Sequence, residues 1–142
     1  MSKTITATVS IQLDAPVAKV WKAMTDPAEV KQYFFGTDLV TDWKVGSPIY
    51  FRGEWEGQAY EDKGTVLQFE PESMLQYDYF SSWSDLEDKP ENYQTITYTV
   101  EPADNGTLLT ITQTNLPGED QKEHSEQNWA MLLGEMKKLV EA

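Results

Sequence analysis

The last segment of this chain restricts the fold more than any other. From about Glu119 onward, Trp129, Leu132, Leu133, Met136, Leu139 and Val140 fall on one stripe at helical spacing, with Lys137, Lys138 and Glu141 off it. Gly118 and the acidic pair Glu119-Asp120 suit the start of a helix, where the macrodipole favours negative charge. No other helical segment has an apolar face broad enough to cover a sheet. Whatever sheet the chain forms must therefore bury its inner face against this one helix.

The sheet is visible in the rest of the sequence. "KTITATVSIQLD" alternates without error, with Ile5, Ala7, Val9, Ile11 and Leu13 on one face and threonines, Ser10 and Gln12 on the other. That pattern predicts a half-buried antiparallel strand. The period then changes. Val17, Val20, Trp21 and Met24 follow helical spacing after Pro16, and Asp26-Pro27-x-Glu29 restarts the count as a cap, a first helical position and a capping-box partner. A second short helix presents Val30, Tyr33 and Phe34 before Gly36 ends it. Strands are expected near 38–44, 48–56, 60–70, 74–81, 93–101 and 107–114, with Asn105-Gly106 as a hairpin signal.

One strand, two short helices, six strands and a long helix predict a single α+β domain over residues 1–142: a curved seven-stranded antiparallel sheet wrapped around the C-terminal helix. The first strand should lie beside the 107–114 strand, because both apolar faces must share one helix. In an up-and-down meander the connections at 56–59, 81–92 and 115–120 gather at one end, where a mouth would form.

Composition narrows the function. Twenty-four acidic residues against eleven basic ones give a net charge of −13. That balance disfavours nucleic acid and anionic membranes as partners, since both are held through basic residues. The chain has no cysteine and one histidine, His124, which read together exclude thiol chemistry and a His-His zinc site. No cofactor, metal or catalytic motif is expected, and the N-terminus lacks an apolar run of signal-peptide length. A soluble, cytoplasmic protein is the expectation.

The chain also resembles a known family. "VWKAMTDPAEVKQYFFG", "DWKVGSPIYFRGEWEG", "KGTVLQFEPESMLQYDY" and "NWAMLLGEM" are similar to segments of the START-like helix-grip (SRPBCC) superfamily. The branch they match best is named after the activator of the heat-shock chaperone ATPase, and the resemblance covers nearly the whole chain. Asn128 stands where members usually carry a glycine before the tryptophan. The resemblance implies a cavity between sheet and helix. It fixes no activity, because the superfamily holds lipid carriers, hormone receptors and cyclases.

The expected function is binding of an apolar or amphipathic small molecule in that cavity. Its alternatives are a chaperone-interacting ATPase activator-like module and an enzyme of cyclase or hydrolase type. A single strongly acidic domain is expected not to stimulate a chaperone. Candidate ligand-binding residues are Tyr33, Phe34, Phe51, Trp55, Tyr77, Tyr79, Tyr98, Trp129, Leu133 and Met136, since ligand pockets are largely apolar with a few polar groups. Trp83 and Leu86, in the long loop "SSWSDLEDKPEN", are candidates for a gate over the mouth. The only arginine, Arg52, is expected to face outward with Glu54 as its partner; a bulge at Gly53 would send it into the cavity instead.

Overall fold

The structure, a computed structural model, describes residues 5–34, 36–55, 57–80, 87–116 and 118–141, without the side chains of Trp55 and Pro90. Strand β1 (Ile5–Leu13) is followed by helices α1 (Val17–Thr25) and α2 (Pro27–Tyr33). Strands β2 (Asp38–Val40), β3 (Pro48–Trp55), β4 (Gln58–Glu70), β5 (Met74–Tyr79), β6 (Gln94–Ala103) and β7 (Gly106–Leu116) come next, and α3 (Glu119–Val140) closes the chain. Every strand pair is antiparallel, in the order β1-β7-β6-β5-β4-β3-β2. This is the helix-grip arrangement, with β1 beside β7 as the shared apolar face requires.

The alternation of β1 is realised in space. Ala7 and Leu13 are buried, Val9 and Ile11 half-buried, and Thr6 and Thr8 face water. Its free edge is covered by α3, whose Glu126 and Glu141 carboxylates accept the backbone N–H groups of Thr8 (3.2 Å) and Asp14 (2.8 Å). An edge strand covered by a helix is a poor template for pairing with another chain. Along α3 the stripe buries Trp129, Leu132, Leu133, Met136 and Val140, while Asn128 is exposed and leaves the helix–sheet contact undisturbed.

Between the short helices, the Asp26 carboxylate accepts the Ala28 N–H at 2.9 Å, as a cap should. Glu29 pairs with Lys22 at 3.9 Å. The expected strand over 38–44 ends early, at Val40. Trp43 adopts a left-handed conformation (φ 61°), turns into the core and donates its indole N–H to the Thr25 carbonyl at 3.0 Å, with its ring stacked on Phe69.

Strand β4 carries two features that its sequence pattern does not reveal. A register shift lies between Val66 and Gln68, which returns Phe69 to the inner face opposite Leu75. Gly64 passes so close to β5 that a Cβ there would meet the Asp78 carbonyl oxygen at 1.7 Å. Gly64→Ala is therefore expected to lose about 1–3 kcal/mol through strand displacement. Urea denaturation would measure it, and an unchanged midpoint would show that the strands have slack.

Candidate functional site

The antiparallel order fixes which connections share an end. Those joining α2 to β2, β3 to β4, β5 to β6 and β7 to α3 all lie at one end of the sheet, here the rim. Two of them touch: the Asn115 side-chain amide donates to the carbonyls of Glu91 and Tyr93, each at 2.9 Å. Lys63 and Tyr93 both bind the Asp88 carboxylate and tie this connection to β4. The lysine, first, holds the Asp88 carboxyl below its usual range.

Inner-face residues change character along the strands. Away from the rim, Ile49, Val66, Leu75, Leu109, Leu133 and Met136 are fully buried and apolar. Midway, aromatic rings take over. Phe34 stacks on Phe51 (centroids 5.8 Å), Phe51 meets Tyr77 (5.4 Å), Tyr77 meets Tyr98 (6.1 Å), and Trp129 stands edge-on to Tyr98 (5.8 Å, 90°). The chain of rings thus crosses the interior from α2 to α3.

Nearer the rim the inner face turns polar. Asp62 lies opposite Phe51 in the β3–β4 register and so shares its inward face, and its carboxylate accepts the Tyr79 hydroxyl at 2.5 Å. Tyr60, packed over Gly53, shares a hydrogen bond of 2.5 Å with Thr37. On β7, buried Gln113 accepts the Trp129 indole N–H (2.8 Å) and the Ser125 hydroxyl (2.5 Å) through one oxygen, and its amide donates to Gln94.

Between these rings is a small cavity of about 10 Å³, lined by Tyr33, Phe34, Phe51, Tyr77 and Tyr98 together with Met24, Val30, Leu39, Trp43 and Leu75. That is room for about one water molecule. Five of the ten candidate residues therefore meet around one space. Trp129 backs Tyr98 from outside it, Leu133 and Met136 belong to the surrounding core, and Tyr79 turns toward Asp62. The Trp55 side chain, Trp83 and Leu86 lie outside the described residues. Of the lining residues not anticipated as ligand-binding, Met24, Val30 and Leu75 had a legible apolar pattern; Trp43 did not, because its position depends on a turn.

Three phenols, Tyr33, Tyr77 and Tyr98, are buried at this cavity. Burial pushes Tyr98 up to about 12. It raises Tyr77 and Tyr33 well above the ordinary 10 as well, with the neighbouring Tyr98 phenol as the next cause for both. All three are neutral hydroxyls over any physiological pH.

Arg52 faces outward, as favoured. Its partner, however, is Glu61 at 2.5 Å and not Glu54, and its guanidinium lies 4.8 Å from the Tyr50 ring centroid. Glu61 is directly opposite on β4, whereas Glu54 is two residues along the same strand and further away. The β3–β4 register runs without a shift through Gly53, so no bulge turns Arg52 inward. An open surface cleft of about 780 Å³ beside it is lined by Asp38, Arg52, Glu54, Tyr60 and Glu61 among others. Among the described residues, no group of acidic or histidine side chains could hold a metal ion, and no helix is long and apolar enough to cross a membrane.

Comparison with known proteins places this architecture. Residues 14–141 match the family model described as Activator of Hsp90 ATPase homolog 1-like protein. The solution structure of a Cytophaga hutchinsonii protein is 45% identical, with a TM-score of 0.86 over 99% of this chain and 97% of that one. The Aha1 dimer from Colwellia psychrerythraea shares 19% identity and a TM-score of 0.75, covering 96% of each chain. CalU16 from Micromonospora echinospora shares 21% identity and a TM-score of 0.74, covering 98% of this chain and 87% of that one. At such identities the last two show a shared fold alone. No curated protein matches the chain.

Proposed function

The chain belongs to the Activator of Hsp90 ATPase homolog 1-like family, and on that basis we propose that it binds an apolar or amphipathic small molecule between the sheet and α3. The observation that carries this reading is the set of three phenols around the central cavity. A core built only for stability would use phenylalanine at these places, because a buried hydroxyl must find a partner. Hydroxyls spaced around a ring-lined space instead resemble the few polar groups that orient a ligand in an apolar pocket.

The resting cavity holds about one water, so a ligand enters by displacing rings. Phe34 suits that role: it is half-buried, caps the short helix α2, and stacks on Phe51 at the edge of the cavity. The grading of the inner face, apolar at depth and polar at the rim, matches a molecule with a tail and a head. Trp83 and Leu86 remain proposed gate residues on the sequence alone.

A fluorescent apolar probe is expected to bind the native protein saturably and to quench tryptophan emission. Tyr98→Trp adds bulk where there is space for one water. It is expected to cost about 1–3 kcal/mol of stability by overpacking and to abolish saturable binding while the protein stays folded. If the probe binds only under partly denaturing conditions, or Tyr98→Trp binds as wild type does, the rings are core and nothing more.

A further inference from the structure

Among the described residues, every basic side chain is solvent-exposed or ion-paired with a carboxylate: Lys63 to Asp88, Lys122 to Glu126, Lys137 to Glu141, Arg52 to Glu61. None faces the interior. The described side-chain N–H donors of the inner face are also committed, as is the Tyr79 hydroxyl, while the neutral phenols of Tyr33, Tyr77 and Tyr98 line the cavity itself. The Trp129 N–H and the Ser125 hydroxyl go to Gln113, the Gln113 amide to Gln94, the Trp43 N–H to Thr25, and the Tyr79 hydroxyl to Asp62. An anionic head entering from the rim would meet no basic side chain and no uncommitted side-chain N–H among the described residues.

The fixed charge that does face inward is negative. Asp62 sits on the same face as Phe51 and directly opposite it, beside the cavity that Phe51 lines. A carboxylate accepts hydrogen bonds and donates none. The connections around the rim add to it. Their described residues, 57, 87–93 and 118–120, contain five acidic residues (Glu87, Asp88, Glu91, Glu119, Asp120) and one lysine, Lys89. That lysine is paired with Glu87, and Lys3 precedes the described residues. Charge of one sign around an opening concentrates ligands of the opposite sign and repels its own.

We infer that the ligand of this cavity is an amphiphile whose polar end is a hydrogen-bond donor without negative charge, an amine before an alcohol, with its head at Asp62 and Tyr79 and its tail among the rings. Fatty acids and phosphate-bearing lipids are disfavoured by the same features. The inference rests on the proposed binding function, and it names the class of molecule bound.

Three ligands of one chain length separate the two ideas: decylammonium, decanol and decanoate, each displacing the fluorescent probe from the wild-type protein at neutral pH and fixed salt. Decylammonium is expected to bind tightest and decanoate at least about tenfold more weakly than decanol, a difference of about one decade in dissociation constant. Asp62→Asn should draw the three affinities together. Glu101→Gln, an equal change of net charge on the exposed outer face, should leave their order and spacing as in wild type. Decanoate binding as tightly as decanol would overturn the inference while the cavity stands. Equal compression of the affinities by both substitutions would overturn the role of Asp62 and assign the selectivity to net charge. If none of the three displaces the probe, the cavity and the inference fall together. The wild-type comparison decides the matter even if Asp62→Asn does not fold.

Discussion

Above pH 10 the protein is expected to lose stability steeply and to unfold before pH 12, with three tyrosines ionising as it does so. In the unfolded chain, phenols ionise near their ordinary value of 10, whereas Tyr98 holds its proton to about 12 in the folded state and Tyr33 and Tyr77 are also raised well above 10. Below pH 10 both states are protonated and these groups contribute no pH dependence. Above it the native state binds more protons than the unfolded one, so the free energy of unfolding falls as pH rises. Each such phenol contributes a slope of up to about 1.4 kcal/mol per pH unit, and three together about 4. Over the two units from pH 10 to 12 that removes up to about 8 kcal/mol, enough to unfold a domain whose stability lies in the lower half of the usual range of about 5–15 kcal/mol.

Phenolate absorbance and circular dichroism, followed together against pH, test this. Part of the absorbance change should coincide with loss of secondary structure. Tyr98→Phe should reduce the contribution of the three buried phenols to the slope by about one third, since one of them is gone. Complete ionisation of all seven tyrosines with the structure intact would mean that the phenols reach water without unfolding, and the buried cluster would be wrong.

The fold was legible wherever one face is wet and the other dry. The alternation of β1, the Asp26-Pro27 cap and the stripe on α3 are local patterns, and local physics determines them. The misreadings arose where tertiary contacts decide. Trp43 leaves the strand because its indole N–H finds the Thr25 carbonyl and its ring finds Phe69, neither of which is a sequence neighbour. Arg52 pairs with Glu61 because the register of β3 on β4 puts them opposite, and a single strand's sequence holds no register. The aromatic members of the site could be named because strand parity points them inward. The size of the space between them could not be read, since 10 Å³ or several hundred follows from ring rotamers and helix position. Asp62 escaped notice for a further reason. An acidic residue in a polar stretch reads as solvated, and only the alignment of β4 with Phe51 turns it inward.

Gln113 was equally inconspicuous, yet its replacement should be among the most damaging changes in the protein. It occupies the inward position after Leu109 and Ile111 on β7, where an aliphatic residue would continue the pattern. Its side chain binds three groups at once: the Trp129 indole, the Ser125 hydroxyl and the Gln94 amide oxygen. Two of these belong to α3 and the third to β6, so one amide joins the helix to the sheet at the rim end. Gln113→Leu adds apolar area but orphans the indole N–H inside the core. An orphaned buried donor costs about 1–3 kcal/mol, and with the two half-buried partners the total expected loss is about 3 kcal/mol. Ser125→Ala, which leaves the indole bond in place, should cost about 1 kcal/mol. Trp129→Phe removes the donor that Gln113 satisfies, so the leucine substitution should hurt less in that background, by at least about 1 kcal/mol in a double-mutant cycle. Urea midpoints at constant m-value give all four corners. Additive losses would show that Gln113 stabilises the sheet without holding α3, and that the helix grips the rim by apolar packing alone.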